Sequence, residues 1–376
     1  MLDQRRINNL PWAMIGLIAA IACIGLAAVY SATFTAKGPS SLFYKQLVWV
    51  AVGLAVMIFA IMVDYHTVGR YAYVFGVVSL GLLVLVMIAG KTGMGAQRWL
   101  SIGPFAFQPS ELAKLSLTLA LARYFAEDPR RGGYALKDLA VPALMVLLPL
   151  VLVLKQPDLG TALMLFLTSS LMVIIAGIRV RSVLIVLLIG GTIASSVFLI
   201  PPVRQKIWGS LKPYQQNRIR AFIDPSSDPL GSGYHANQSK IAVGSGQVFG
   251  KGFRQGTQSQ MAFLPERHTD FIFAVISEEW GLAGSGVLLL LYLMLLLIGV
   301  DTAKNAKDRL GSLMAGGIVS MISLYVFINT GMAVGLVPVV GVPLPLVSYG
   351  GTSIISTFLA LGLLLNIQVR RFMLFY

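Results

Sequence analysis

The residues best suited to chemistry in this sequence stand where a polar segment turns into an apolar run. Asp270 begins the run, and Glu266, Arg267 and His268 come just before it. A carboxylate beside a hydrophobic run of membrane length is costly unless it has a partner or a task. Asp270 is therefore a candidate general base. Asp is also a preferred helix N-cap, as is Thr269, so the residues alone leave the two roles open.

A second set of ionisable residues lies upstream of Asp270. Glu111 and Lys114 are three residues apart, a spacing that places them on one helix face. Within or at the edge of a membrane span, such a pair is an internal clamp or part of a polar cavity. Arg98 precedes Trp99; a guanidinium suits phosphate binding, while a lone Trp is typical of the aromatic belt.

Two further segments carry turn residues between apolar runs. In Lys155-Gln-Pro-Asp158-Leu-Gly-Thr, Asp158 is predicted to cap the following helix. Residues 329–353 contain three prolines and five glycines, and Ser348 begins a group of hydroxyl side chains near its end. Interrupted backbone at membrane depth is tolerated only where it is buried in protein or lines a cavity.

The elements that position these residues are predicted to be membrane helices. Of the 376 residues, 56% are apolar and only 12% are charged, whereas soluble domains carry about 25% charged residues. One cysteine and three scattered histidines exclude a disulfide framework and a zinc pattern. No nucleotide-binding or metalloprotease motif is present. We assign the net charge of +14 to membrane contacts rather than to nucleic acid.

Hydrophobic runs of spanning length predict ten transmembrane helices. They lie at 12–30, 46–63, 71–90, 110–125, 139–154, 160–177, 183–200, 271–300, 311–335 and 350–368. The 110–125 run is the shortest and most polar. Short segments on the predicted inner side hold fourteen Lys and Arg, against five in the short outer loops. By the positive-inside rule, both termini are predicted to be cytoplasmic.

This orientation places residues 201–270 outside, between spans seven and eight. The segment holds nine Lys and Arg, including Arg218 and Arg220, against four Asp and Glu. Such a composition is typical of a solvated loop, but cations interleaved with aromatic residues also suit an anionic lipid headgroup. We predict an all-α polytopic membrane protein, one domain over 1–376, with ten transmembrane helices and one large extracytoplasmic loop.

Four blocks of the sequence together resemble the SEDS family, which includes RodA, FtsW and SpoVE. They are QPSELAK at 108–114, QPDLGT at 156–161, PERHTDFIF at 265–273 and the Gly/Pro-rich segment at 329–353. The likeness runs in order along nearly the whole chain. The short tails and the ERHTD block are closer to the RodA members than to the FtsW members.

The resemblance implies a peptidoglycan glycosyltransferase of the bacterial cytoplasmic (inner) membrane, active in cell elongation. Such an enzyme polymerises lipid II at the outer face, with inversion and with undecaprenyl pyrophosphate as leaving group. It works with a class B penicillin-binding protein, a transpeptidase. The resemblance implies that Asp270 is the catalytic carboxylate and that Glu111 and Lys114 support the cavity. The sequence requires no cofactor, and it leaves open a divalent cation, Mg²⁺ or Mn²⁺, on the pyrophosphate.

The remaining site residues are expected around Asp270. We expect basic side chains to hold the departing pyrophosphate, and the candidates are Arg98, Lys114, Lys155 and Arg218 or Arg220. The expected supporting residues are Asp158, Glu266, His268 and Ser348. Two alternatives stay open. A lipid II flippase would use the Glu111–Lys114 pair and the interrupted 329–353 segment as a path. A scaffold for the transpeptidase would not need Asp270.

Overall fold

The structure, a computed structural model, describes residues 11–34, 38–93, 96–102, 105–128, 130, 133–224, 231–261, 263–264 and 266–371. Within these ranges the chain forms fifteen α-helices and one small sheet. The helices are α1 (Trp12–Thr33), α2 (Ser41–Met62), α3 (Tyr65–Arg70), α4 (Ala72–Ala89), α5 (Pro109–Glu127), α6 (Ala140–Lys155), α7 (Leu159–Ala176), α8 (Val180–Leu199), α9 (Pro201–Ser210), α10 (Pro213–Ile223), α11 (Ser232–Ser245), α12 (Thr257–Gln260), α13 (Ile272–Lys304), α14 (Arg309–Val334) and α15 (Gly351–Arg370).

Each of the ten apolar runs forms a helix, which confirms the predicted all-α membrane fold. Eight of the described helices are long and apolar enough to cross a membrane. The other two are α5, which is more polar, and α8, whose described apolar part, Val180–Thr192, is shorter. The count of ten crossings and the side on which the large loop lies stay predictions.

The polar helix α5 lies in the middle of the bundle. Fourteen of its nineteen residues are buried, and it packs against α4, α7 and α14. Side chains such as Ser116 and Thr118 therefore face protein instead of lipid, and Thr118 donates to the Lys114 carbonyl oxygen at 2.9 Å. Small and polar residues at helix contacts are typical of membrane bundles. Because α5 contacts protein on most sides, it can carry polar residues within the bundle.

A three-stranded sheet joins α4 to α5 and was not among the predicted elements. Its strands are β1 (Lys91–Gly93), β2 (Ala96–Ile102) and β3 (Phe105–Phe107), paired antiparallel in the order β1-β2-β3. Strands of three to seven residues give too short a period-2 pattern to be recognised from sequence. The sheet matters for function because β2 carries Arg98.

Part of the described chain between residues 201 and 270 is folded onto the bundle. Helices α9, α10, α11 and α12 all lie in it, and α11 packs against both α13 and α14. The hydroxyl of Ser239, on α11, donates to the Ala333 carbonyl oxygen at 2.8 Å. Of the two readings left open for this loop, a purely solvated segment is therefore wrong for α11.

Helix α13 is interrupted at Gly281, where φ is +66°. The preceding loop fills the interruption: the amides of Leu282 and Ala283 donate to the carbonyl oxygens of Gln247 and Val248 at 2.8 and 2.9 Å. A Cβ at position 281 would lie 2.5 Å from the Val248 oxygen, so only glycine fits. The interruption separates the first turns of α13, which follow Asp270, from the long apolar part.

Candidate active site

The Asp270 side chain lines a cavity of about 430 Å³ at one end of the bundle. The ionisable residues that line it are Arg98 on β2, Glu111 and Lys114 on α5, Asp158 before α7, Arg218 on α10, and Glu266 and Asp270 before α13. Segments far apart in sequence thus bring three cations and four carboxylates into one enclosure. Such a grouping of both charge signs is typical of a site that moves protons or binds an anion.

Asp270 is not the cap of α13. The N-cap position is Phe271, and no side chain there bonds a helix amide. Asn329 fixes the Asp270 backbone: its Nδ2 donates to the Asp270 carbonyl oxygen at 2.8 Å and to the Val342 carbonyl oxygen at 2.7 Å. The carboxylate faces Gly341, whose φ is +74° and where a Cβ would lie 3.1 Å from Asp270 Oδ2. The Gly341 backbone therefore approaches the carboxylate closely, and the Asp270 side chain lines the cavity.

The surroundings of Asp270 raise its basicity. Burial is the first cause and the negative charge of Glu266 the second, and together they raise the pKa of the Asp270 carboxyl from 3.8 to about 6. Arg218 and Arg98 oppose this shift, while Asp158 adds to it. Asp270 as a residue is partly exposed and lines the cavity. A carboxylate with a pKa near 6 is ionised at pH 7 and is a stronger base than an ordinary Asp.

Glu111, Lys114 and Tyr325 form a buried cluster in the cavity wall. Lys114 Nζ donates to Glu111 Oε1 at 2.6 Å and also to the Tyr325 hydroxyl, which in turn donates to Glu111 Oε2 at 3.1 Å. Glu111 and Lys114 are 5% and 3% exposed, so this is a desolvated ion pair with a third hydrogen-bonding partner. Tyr325 was not among the predicted site residues, although a lone tyrosine in an apolar span must find a partner for its hydroxyl.

Arg98 and Asp158 are held together by the turn between α6 and α7. Asp158 caps α7 as predicted, accepting hydrogen bonds from Thr161 N at 3.1 Å and Thr161 Oγ1 at 2.9 Å. Arg98 Nε lies 3.9 Å from Asp158 Oδ2 and donates to the Gln156 carbonyl oxygen at 3.3 Å. The turn therefore fixes the guanidinium at the cavity wall.

Arg218 is the second guanidinium of the cavity. Its Nη1 donates to the Val340 carbonyl oxygen at 3.1 Å, which ties α10 to the 329–353 segment. Burial lowers the pKa of Arg218, and the positive charge of Arg98 lowers it further. Arg98 and Arg218 both line the cavity, so an anion placed between them would be stabilised by both guanidinium groups.

Two of the predicted cations lie outside this cavity. Lys155 is exposed at the end of α6 and does not line it. Arg220 is exposed on α10, with its guanidinium carbon 5.3 Å from the centre of the Trp208 ring. A helix presents residues two positions apart to different sides, so Arg218 faces the cavity and Arg220 does not.

His268 and Ser348 lie behind the cavity lining. The Ser348 hydroxyl donates to the Thr269 carbonyl oxygen at 2.6 Å and accepts from the Leu344 amide at 2.7 Å. The Tyr349 amide donates to the His268 carbonyl oxygen at 2.8 Å. Burial lowers the pKa of His268, so its ring is neutral at pH 7 and adds no positive charge. Both residues join the segment just before Asp270 to the 329–353 segment.

Glu278 has a separate position. Its buried carboxylate lies 2.8 Å from Lys251 Nζ and accepts from the amides of Gln258 and Ser259 at 2.9 and 3.1 Å. It does not line the cavity. Glu278 therefore anchors the preceding loop on α13.

The interrupted 329–353 segment forms one wall of the cavity, as its Gly and Pro content predicted. Residues 340–343 line it, together with Tyr349, Thr352 and Ser353. The Thr352 hydroxyl accepts a hydrogen bond from the Gln108 amide at 3.1 Å, which joins this wall to the start of α5. In the part of the chain that the structure describes, no three His, Cys, Asp or Glu side chains are grouped so as to hold a metal ion.

The chain is similar to proteins of known activity and structure. MrdB of Escherichia coli (strain K12), a peptidoglycan glycosyltransferase, is 41% identical over 350 residues, which are 92% of this chain and 91% of MrdB. The crystal structure of rod shape determining protein RodA of Thermus thermophilus matches with a TM-score of 0.70 and 31% identity, covering 97% of this chain and 98% of RodA. A chain from a peptidoglycan synthase complex that coordinates polymerization and crosslinking matches with a TM-score of 0.80 and 34% identity, covering 96% and 98% of the two chains.

The resemblance first noted in four sequence blocks is confirmed over the whole bundle. The family described as cell cycle protein, which includes FtsW, RodA and SpoVE, matches residues 9–372 of this chain. This range includes every ionisable residue of the Asp270 cavity. The chain is a multi-pass membrane protein and belongs to the FtsW, RodA and SpoVE family.

Proposed function

We propose that this protein is a peptidoglycan glycosyltransferase that polymerises lipid II, with Asp270 as the catalytic carboxylate. The observation that carries the proposal is a carboxylate of raised pKa in a cavity that also contains two fixed guanidinium groups. The similarity to MrdB, itself a peptidoglycan glycosyltransferase, supports the reaction class. A base and an anion site in one enclosure suit the transfer of a sugar from a pyrophosphate donor.

In the proposed reaction Asp270 removes the proton from the 4-hydroxyl of the acceptor sugar. The acceptor oxygen then attacks the anomeric carbon of the donor MurNAc with inversion, and the bond to undecaprenyl pyrophosphate breaks. A pKa of about 6 allows Asp270 to be ionised before the reaction and still to hold the proton it takes. Its fixed backbone, bonded to Asn329, keeps the carboxylate in one position.

Arg98 and Arg218 are the proposed ligands of the departing pyrophosphate. Both are held by backbone carbonyl oxygens, so they are oriented before substrate binds. Lys114 is paired with Glu111, which leaves it a smaller role as an anion ligand. Because the lining holds four carboxylates and three cations, a divalent cation carried by the pyrophosphate would supply further positive charge. We propose no protein ligands for such an ion.

We further propose that Asp270 works at the outer face of the cytoplasmic membrane and that both termini are cytoplasmic. The excess of Lys and Arg on the opposite side of the bundle supports this orientation. A class B penicillin-binding protein is the proposed partner, and the match to a chain of a peptidoglycan synthase complex supports it.

Polymerisation of lipid II by purified protein with its transpeptidase partner tests the proposal. We expect Asp270→Asn to fold normally and to form no glycan strands, since general base catalysis contributes about 10²–10⁴-fold. Asp224→Asn is the matched control, because it changes an exposed carboxylate that does not line the cavity. Strands of normal length from Asp270→Asn would reject the catalytic assignment and favour the scaffold role.

The flippase alternative is tested on the same preparations. The ionisable residues of the cavity all lie at one end of the bundle, near the start of α5 and of α7, whereas a transport path must reach both faces. We therefore expect the protein in liposomes to consume lipid II only from the face that exposes Asp270. Movement of lipid II across the bilayer, lost with Glu111→Gln but not with Asp270→Asn, would favour the flippase.

A further inference from the structure

A second cavity, remote from Asp270, lies between α6, α7 and α8. Its volume of about 640 Å³ exceeds the 430 Å³ of the Asp270 cavity. The lining is apolar except for Ser169 and Ser170, and the Ser170 hydroxyl already donates to the Phe166 carbonyl oxygen at 2.8 Å. Cavities of this size are typical of ligand sites. A lining of this kind, with fifteen apolar residues and two serines, suits a hydrocarbon chain.

The cavity opens sideways because α8 stands away from the bundle. The main contact of α8 is with α9, its neighbour in sequence. Lining residues on both sides of the opening are more than half exposed, among them Phe166 at 52%, Ile174 at 58% and Leu187 at 64%. In a membrane this opening faces the hydrocarbon core, so lipid chains have direct access to it.

One end of the cavity has a fixed floor. Tyr134 and Ile178 form a parallel bridge, in which the Tyr134 amide donates to the Gly177 carbonyl oxygen at 2.8 Å and the Arg179 amide donates to that of Tyr134 at 3.0 Å. Gly177 has a φ of +100°, which turns the chain from α7 into α8. This floor is at the opposite end of α6 and α7 from Asp158, about 24 Å away for sixteen residues of helix.

Basic side chains surround this floor. Lys137 lies within the 3₁₀ turn Leu136–Leu139, whose two end residues line the cavity, and Arg181 is the second residue of α8. Both are exposed, and neither forms an ion pair with a carboxylate that the structure describes. Asp138, the sequence neighbour of Lys137, is already bound by Arg130 at 2.5 Å. Positive charge is thus available at the polar end of an apolar cavity.

We propose that this cavity binds an anionic diacyl phospholipid of the cytoplasmic leaflet, with an acyl chain between α6 and α8 and the phosphate at Lys137 and Arg181. Basic pockets between membrane helices on the cytoplasmic side suit anionic headgroups. The proposal uses the predicted orientation and is independent of the chemistry of Asp270. Since α8 continues through α9 into α10, which carries Arg218, the bound lipid would also support the position of that guanidinium.

Native mass spectrometry of the delipidated full-length protein tests the proposal. Phosphatidylglycerol and phosphatidylcholine with identical acyl chains are titrated separately, and we expect one phosphatidylglycerol to bind at least tenfold more tightly. Lys137→Gln with Arg181→Gln should weaken that binding about thirtyfold, the equivalent of about 2 kcal/mol at 1.4 kcal/mol per tenfold. Arg70→Gln with Lys304→Gln is the matched control, removing two exposed cations from the same face.

Ala143→Trp tests the acyl-chain part of the site. Ala143 lines the cavity from α6, and an indole there would fill the space between α6 and α8. We expect this variant to lose the tight phosphatidylglycerol while Lys137 and Arg181 remain, and thermal unfolding checks that it is folded. The proposal is overturned if the wild type shows no headgroup preference, or if the control pair weakens binding equally. It is also overturned if Ala143→Trp retains the lipid, or if undecaprenyl phosphate displaces phosphatidylglycerol from this site.

Discussion

Replacing Asp270 by asparagine is expected to abolish polymerisation and at the same time to stabilise the protein at neutral pH. Burial and the charge of Glu266 raise the pKa of Asp270 from 3.8 to about 6. Such an acid stabilises the fold in its neutral form; the stabilisation is full below pH 3.8 and is lost as the pH rises through about 6. At pH 7 the carboxyl is ionised, and the folded protein has lost up to about 3 kcal/mol of this stabilisation, at 1.36 kcal/mol per pKa unit.

The measurement is the thermal unfolding temperature of both proteins in the same detergent, from pH 4 to pH 8. Asparagine has the size of the neutral acid but never ionises, so it keeps the stabilisation at every pH. We expect the variant to unfold a few degrees higher than the wild type at pH 7–8. The difference should shrink as the pH falls from 6 to 4. The pH dependence matters because a simple packing change would not produce it.

Asp158→Asn provides the matched control within the same cavity. Its carboxylate caps α7 and accepts two hydrogen bonds from Thr161, and asparagine is an equally good cap that accepts only one of them, so this change should lower stability by less than about 1 kcal/mol. A lower unfolding temperature for Asp270→Asn at pH 8 would refute the reasoning, as would a difference that does not vary with pH. Either result would mean that the charge of Asp270 is well solvated or paired in the folded protein.

Three other predictions concern the surroundings of Asp270. The rate of polymerisation should fall about tenfold from pH 7 to pH 5, following the ionisation of a group of pKa about 6. Glu266→Gln should move this fall in rate to lower pH. A fall at the same pH in Glu266→Gln would show that the charge of Glu266 does not raise the pKa of Asp270. Glu111→Gln should destabilise the fold by about 3–5 kcal/mol because it leaves Lys114 buried and unpaired, and adding Lys114→Met should restore part of the loss in an unfolding titration. Gly341→Ala should reduce the rate with little change in lipid II binding, since its Cβ would lie 3.1 Å from Asp270 Oδ2 on a backbone of φ +74°; a rate equal to wild type would mean that the carboxylate can move aside.

The helices were predictable because the solvent around them is hydrocarbon. Runs such as 12–30 and 71–90 are apolar on all sides, and length alone separates them from loops. Helix α5 was the least clear run because its Ser and Thr residues face other helices, and hydropathy does not distinguish a polar loop from a polar buried helix. The strands that carry Arg98 were missed because their pattern is too short.

The cavity was predictable to the extent that charge at membrane depth needs a partner. That rule identified Asp270, Glu111 and Lys114. It did not separate Arg218 from Arg220, because the choice depends on the direction in which α10 presents its faces. Nor did it place Lys155 outside the cavity, since the last turn of a helix can point either way. The direction of a side chain depends on how its helix packs in the fold, and one sequence alone does not determine this.

The polar character of α5 also has a consequence for how the chain enters the membrane. A charged side chain within an inserting helix is costly, and α5 carries both Glu111 and Lys114 in its first two turns. Because the two lie three residues apart and 2.6 Å from each other, they can neutralise one another as soon as α5 leaves the ribosome. Their third partner, Tyr325, is synthesised some two hundred residues later. We therefore expect α5 to insert together with α4 as a pair, and to exchange lipid for protein neighbours only when α14 arrives.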